Sequence, residues 1–342
     1  MPLNKDRRFP SIINIHFRPY YLYLINPNTT IMNTTKQLFP LSKDHTRRKF
    51  IFNLSKVAAA TAFLTTPFAG SAASFFKVDG DVTVGQIIDK FISQIAGAPF
   101  PSTVDTLKSG DRDIKVTGVV TTMFATIEVI RQAIALNANF IIAHEPTFYN
   151  HADETAWLAN DDVYQYKAAL LKEHNIAVWR NHDYIHSLKP DGVGMGVLTQ
   201  LKWAPYYRPD LGNVLMLPPT TLSSLIDYLK TKLSISKVRY IGNLDQSCQK
   251  VLFIPGAAGG KRQISEAGKI KPDVLIVGEI AEWETAEYVR DAQAKGDKLS
   301  LIVLGHIASE EPGSEFMLGW LKDKFPAIKS VHIPAKNSLS FI

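Results

Sequence analysis

Three short stretches of the chain combine residue types that can do chemistry, and they do so in the same way. Phe140-Ile-Ile-Ala143 runs straight into His144, Glu145 and Pro146. Isoleucine and phenylalanine favour a strand, and Pro146 cannot extend a ladder, so this strand ends at an imidazole and a carboxylate. Ile176-Ala-Val-Trp179 runs into Arg180-Asn-His182-Asp-Tyr-Ile-His186, with two histidines four residues apart. Leu299-Ser-Leu-Ile-Val-Leu304 runs into Gly305-His306-Ile-Ala-Ser-Glu310, a histidine and a glutamate at helical spacing. Each stretch taken alone has a plain structural explanation: a satisfied histidine, a polar loop, a helix-capping glutamate. Taken together they deliver imidazoles and carboxylates to three strand ends. In α/β proteins the carboxyl ends of parallel strands are where ligands bind. Nitrogen and oxygen donors without thiolate suit divalent metal ions. Five or six donors exceed what one tetrahedral ion needs, which points to two metals sharing a bridging water.

The elements around these stretches must place them. Thr83 caps an amphipathic helix, and Ile114-Lys-Val-Thr-Gly-Val-Val-Thr121 reads as a strand. Thr126 caps a helix to Leu136, Asn137-Ala-Asn139 breaks it, and the His144 strand follows. Strand, helix, strand within about thirty residues is a βαβ unit with a parallel pair. Asp162 opens a further helix. The glycines of Asp191-Gly-Val-Gly-Met-Gly196 fit neither dinucleotide nor Walker spacing and are expected in a turn that leads into a short helix. Tyr206 to Gly212 reads as a connector. Thr220 and Thr221 cap a helix through Leu233, and strands are expected at 238–241, 251–254 and 273–277. Between the last two, Pro255-Gly-Ala-Ala-Gly259-Gly260 leads into a helix that starts near Lys261 and Arg262. Gly259, Gly260, Lys261 and Arg262 are candidates for binding an anion on backbone N–H groups, with a tight strand-to-helix turn as the alternative. Pro312 fits the first turn of the closing helix.

The chain has 342 residues and a formal charge of +6. The first 73 residues hold 10 Lys/Arg against 2 Asp/Glu, and the remaining 28 Lys/Arg and 30 Asp/Glu sum to −2. The basic excess is therefore not a nucleic-acid surface. Thr46-Arg47-Arg48-Lys49-Phe50-Ile51 is a twin-arginine signature. The apolar run Val57 to Leu64 follows, too short to span a bilayer, and then the small residues Ala69 to Ala73. This order predicts export to the periplasm through the twin-arginine route, with a cytoplasmic protein as the alternative. Met32 is a second candidate start. One cysteine, Cys248, excludes an intramolecular disulfide and a thiolate-rich site.

From about Thr83 to its end the chain resembles the Nif-three-like dinuclear-metal family, often named GTP cyclohydrolase 1 type 2 homologues. The landmarks are His144-Glu145-Pro146, Ile176-Ala-Val-Trp-Arg-Asn-His182, Gly256-Ala-Ala-Gly-Gly260 and Gly305-His306-Ile-Ala-Ser-Glu310. The resemblance implies two similar α/β lobes with a dinuclear metal cleft between them. It divides the chain into a leader (1–73), a first lobe (74–202 and 299–342) and a second lobe (203–298). It also implies a toroidal homohexamer. The family pattern has His-His-Pro where Glu145 stands, and aspartate where His186 stands. His144, Glu145, His186, His306 and Glu310 nevertheless keep the family's three histidines and two carboxylates, a rearranged site of the same ligand charge. Glu282-Trp283-Glu284 stands where the family has a further histidine. His182 and Glu310 are the candidates for a catalytic role. Zn, Fe, Mn and Mg are not distinguished. The expected function is a metal-dependent hydrolase acting on a small molecule, with a metal-binding or interaction scaffold as the alternative. GTP cyclohydrolase activity is the weaker form of the first, because an exported enzyme meets little GTP. No nucleic-acid partner and no stable membrane span are expected.

Overall fold

A computed structural model of the chain describes residues 82–342. The leader with its twin-arginine signature lies outside the described residues. In chain order the helices are α1 (Val84–Ile92), α2 (Ile127–Ala135), α3 (Asp162–Glu173), α4 (Asp183–Ser187), α5 (Gly192–Gln200), α6 (Leu222–Leu233), α7 (Gly260–Ile270), α8 (Glu287–Ala294) and α9 (His306–Lys324). The strands are β1 (Leu107–Ser109), β2 (Val119–Thr122), β3 (Phe140–Ala143), β4 (Ala177–Arg180), β5 (Val214–Thr221), β6 (Arg239–Ile241), β7 (Ser247–Ile254), β8 (Val274–Val277), β9 (Ser300–Val303) and β10 (Ser330–His332).

They form two mixed five-stranded sheets, ordered β1-β4-β3-β2-β10 and β5-β7-β8-β9-β6. Strands β4, β3, β2 and β10 run parallel, as do β7, β8 and β9, and antiparallel strands lie at the other edges. The inner strands are buried on both faces, which is why they read as unbroken apolar runs. In the first sheet Val119, Phe140, Ile142, Ala177 and Trp179 pack on one face, and Val120, Ile141, Ala143 and Val178 on the other. The capping signals work as the residue types dictate: the side chains of Thr83, Thr126, Asp161 and Thr221 each accept a backbone N–H at a helix start.

Four expectations from the sequence change. Strand β9, assigned with residues 299–342 to the first lobe, stands in the second sheet between β8 and β6. The boundary follows the strand because its apolar run is buried against those neighbours; α9 then leaves the sheet, and β10 pairs with β2 of the first. Strand β5 covers Val214–Thr221, a stretch between the connector and the helix to which the sequence assigned no strand. It lies at an edge, where the missing N–H groups of Pro218 and Pro219 are tolerated, and its register shifts between Met216 and Thr220. Gly192, Gly194 and Gly196 lie inside α5 rather than in a turn. A Cβ on Gly196 would come within 2.3 Å of the Pro312 carbonyl oxygen, so this glycine lets the backbones of α5 and α9 touch. Finally, α9 begins at His306, which puts Pro312 in its interior rather than its first turn. Among the described residues no helix is long and apolar enough to cross a membrane.

Candidate metal centre

The ladder that ends β3 continues just far enough to fix its two polar residues. The His144 amide donates to the Thr122 carbonyl at 3.1 Å and the Glu145 amide to that of Met123 at 2.8 Å. At the end of β4, the Asn181 amide donates to the Ala143 carbonyl at 2.9 Å. Asp105, buried in the loop before β1, then receives the amides of His182 (2.8 Å) and Tyr184 (2.7 Å) and so holds the start of α4. Gly305 (φ 92°) turns the chain out of β9 so that His306 opens α9 and Glu310 follows one turn later.

These residues converge. The ligand atoms of His144, His182 and His186 lie within 4.8 Å of one another, and so do those of His144, Glu145 and Glu310. The three imidazoles pack ring to ring at centroid distances of 4.9 to 5.1 Å. His306 Nε2 lies 3.1 Å from Glu145 Oε1 and 3.0 Å from Glu310 Oε2. All five expected ligands therefore meet, with His306 joined to the rest through the two carboxylates. His182, expected as a catalytic candidate, stands among the potential ligands, and the other candidate, Glu310, is buried between His144 and His306.

Each imidazole has one nitrogen tied down from behind. His144 Nδ1 faces the Asn181 carbonyl (3.2 Å), His182 Nδ1 faces Asp183 (2.9 Å), His186 Nδ1 faces Asp191 (2.9 Å), and His306 Nδ1 faces Glu279 (2.8 Å). A hydrogen bond at Nδ1 leaves Nε2 as the donor atom and fixes the ring plane, the usual outer partner of a metal-binding histidine. Nε2 of His144 is buried with no hydrogen-bond partner, 3.6 Å from Glu310 Oε2. A buried polar atom without a partner is costly, and an ion bound there would satisfy it. The residues thus fit a divalent metal.

The electrostatics point the same way. Burial and the neighbouring His144 push His182 down to about 4, which makes it a neutral imidazole ready to donate a lone pair. Burial opposes charge on Glu145 and Glu310, but His144 and His306 beside them hold both carboxyls below the usual range. Burial likewise opposes charge on His306, yet the carboxylates of Glu145, Glu279 and Glu310 hold it up to about 11. Three carboxylates on one imidazole make a place that favours a cation.

Several supporting residues carried no role in the sequence. Arg180 is fully buried; its Nη2 lies 3.3 Å from Glu145 Oε2, and its Nη1 donates to the His151 carbonyl and lies 3.7 Å from Asp153. A charge at the end of an apolar strand was the one signal for it. Asp105 and Glu279 gave none, because each acts across the fold, and Asp191, five residues from His186, was read only as part of a turn. Gly256 has a site role rather than only a turn role. A Cβ there would meet Glu310 Oε1 at 2.3 Å, and its amide donates to Ser309 Oγ at 3.0 Å.

The anion candidates do not join this centre. Lys261 and Arg262 are exposed, and Arg262 pairs with Glu266 at 2.8 Å. The carboxylate of Glu284 lies against Gly260, where a Cβ would come within 2.0 Å of its Oε2, so the start of α7 already faces an anion of its own chain.

Comparison with known proteins agrees on family and fold. Residues 102–338 match the family described as Duf34/NIF3 (NGG1p interacting factor 3). The chain is 27% identical over 217 residues to a protein of Clostridium acetobutylicum named GTP cyclohydrolase 1 type 2 homolog, covering 60% of this chain and 76% of that one. It is 26% identical over 239 residues to a protein of the same name from Chlamydia pneumoniae, covering 68% and 89%. Among solved structures, the Bacillus cereus protein related to NIF3 superposes with a TM-score of 0.61 at 17% identity, covering 77% of this chain and all of that one. Staphylococcus aureus protein SA1388 superposes with a TM-score of 0.59 at 18% identity, with the same coverage.

Proposed function

The chain belongs to the Duf34/NIF3 family, and from that membership we propose that its His/Glu cluster holds two divalent metal ions and serves a hydrolase of small molecules. His144, Glu145, His186, His306 and Glu310 would hold the ions, with His182 as a sixth donor. When bound, such ions supply Lewis acidity and lower the pKa of water. The chain's own part is to keep His182 neutral, Glu145 and Glu310 ionised, and every ring fixed from behind. The imidazole-rich donor set favours Zn, Fe or Mn over Mg, which prefers oxygen ligands and keeps its waters.

The observation that carries this reading is His144 Nε2, buried and unpartnered among two carboxylates and two further imidazoles. His144 belongs to both three-residue groups, but with Nδ1 turned to the Asn181 carbonyl its one free nitrogen serves a single ion; Glu145 and Glu310, with two oxygens each, are the residues two ions could share. Elemental analysis of the native protein should find two ions per chain. His144→Ala and His186→Ala should each lose at least one. Two ions retained in His144→Ala would show that His144 is not a ligand, and fewer than two in the native protein would sink the dinuclear reading. A screen of phosphoester, ester and amide substrates on the loaded protein then tests hydrolysis; metal without turnover of any of them would leave the scaffold reading in its place.

The relatives' names bring GTP into question as a substrate. The crevice beside the site speaks against it, because the cavity next to His186 is lined by no Lys or Arg and does contain the carboxylate of Asp191. A triphosphate needs cations or a helix N-terminus free to receive it.

A further inference from the structure

A cavity of about 90 Å³ borders the candidate centre at His186, between α5 and the second sheet, and it is partly open to solvent. Its polar wall is formed by His186, by Asp191, which holds the His186 ring at 2.9 Å, and by Asn213. The rest is mostly apolar, with Met195 and Leu198 from α5, Tyr207 from the connector, Leu215 from β5 and Phe253 from β7. Pro255 closes it at the carboxyl end of β7, the edge where ligands of parallel sheets bind. Gly194, which carries no side chain into this space, leaves the wall of α5 open; a Cβ there would touch only Asp191, at 3.8 Å or more.

We infer that this cavity is the specificity subsite of the metal centre, and that it takes an uncharged, ring-sized apolar group on a substrate whose polar end faces His186. The inference rests on the metal reading above and deepens it. Three properties of the cavity carry it. Its volume of about 90 Å³ is smaller than the roughly 150 Å³ apolar cavity that takes benzene, which limits it to a single ring, and its open side lets the remainder of a substrate protrude. Its lining is aliphatic and aromatic with few polar groups, the usual composition of a small-molecule site. Apart from the Tyr207 phenol, its ionisable side chains are His186 and Asp191, which are already committed to each other, so a charged group inside would find no free ionic partner and would pay most of its desolvation. A nucleoside triphosphate is excluded from the subsite on the same ground.

The test uses metal-chelating probes that differ only in their apolar part. The full chain, loaded with Zn or Mn and checked for ion content, is titrated with acetohydroxamic acid, benzohydroxamic acid and GTP by calorimetry. The wild-type protein should bind benzohydroxamic acid about tenfold or more tightly than acetohydroxamic acid, because the phenyl ring leaves water for the cavity. In Met195→Trp, which fills the cavity, that preference should fall to near unity, while acetohydroxamic acid binding and ion content stay as in the wild type. Should this variant not fold, 4-phenylbenzohydroxamic acid replaces it: a ring-sized subsite gives the second ring no further gain in the wild type. Equal binding of the two small hydroxamates, or no binding of either with both ions present, would overturn the subsite and leave the metal reading intact. Tighter binding of GTP than of benzohydroxamic acid would also overturn it. Failure to load any ion would instead remove the metal reading, and the subsite with it.

Discussion

Arg180 carries a full charge with no exposure to water, so its partners decide whether it is tolerable. It lies between Glu145 at 3.3 Å and Asp153 at 3.7 Å, and Lys108 reaches Asp153 from the other side at 3.3 Å. Removing the guanidinium leaves two buried carboxylates under-compensated. Arg180→Met should therefore destabilise the fold by about 3–5 kcal/mol. Denaturant unfolding checks this, and an unchanged midpoint and slope would show that the chain of charges contributes nothing. Lys167 is a second buried cation, with Nζ donating to the Thr147 carbonyl at 2.6 Å and lying near the rings of Phe148 and Tyr149. Burial pushes its amine down from 10.5 to about 8, against the pull of Asp153. Between those two values the unfolded chain binds more protons than the folded one, so Lys167 makes stability rise as pH increases from about 8 to 10.5. Wild-type protein should gain on Lys167→Met over this window, at up to about 1.4 kcal/mol per pH unit. Parallel stability curves for the two proteins would refute the assignment.

At the scale of elements, the centre depends on where α9 lies, because α9 carries His306 and Glu310 away from the second sheet while its flank packs on α5. That contact is made through glycines: Gly196 against Pro312, and Gly313 against Val193, where a Cβ would come within 2.9 Å of the Val193 Cα. Pro312 has no N–H to offer the Ala308 carbonyl, so α9 forgoes one internal bond at the place where the helices meet. Gly196→Leu should force the two helices apart at a cost of about 1–3 kcal/mol. It should also weaken metal retention, since Asp191, the partner of His186, caps the start of α5. Equilibrium unfolding and ion content after dialysis read both effects, and a variant as stable and as well loaded as the wild type would show that the close approach is dispensable.

At the scale of the whole molecule, the leader and the assembly are the open predictions. Arg47→Lys with Arg48→Lys should leave the precursor unprocessed and inside the cell if the twin-arginine route carries it; unchanged fractionation would remove that expectation. The family resemblance leads us to propose a hexamer. Sedimentation equilibrium of the chain without its leader should then give about six times the monomer mass, and a monomer or dimer would refute it.

The sequence alone determined the strand-end placement of the donors. Short apolar runs become buried parallel strands, and the polar residues that follow them emerge at the carboxyl edge, so His144, His182 and His306 could be located by type and position. It also determined the caps at Thr83, Thr126 and Thr221, because a cap is a contact between residues three apart. Tertiary structure decided what depends on residues far apart in the chain. That Glu145 leans on Arg180, that Asp105 holds the start of α4 from 77 residues away, and that β9 joins the second sheet rather than the first are outcomes of packing. The glycines of α5 show the limit most directly. Their types permit a turn as readily as a helix, and only the Pro312 backbone lying against Gly196 requires that a side chain be absent there.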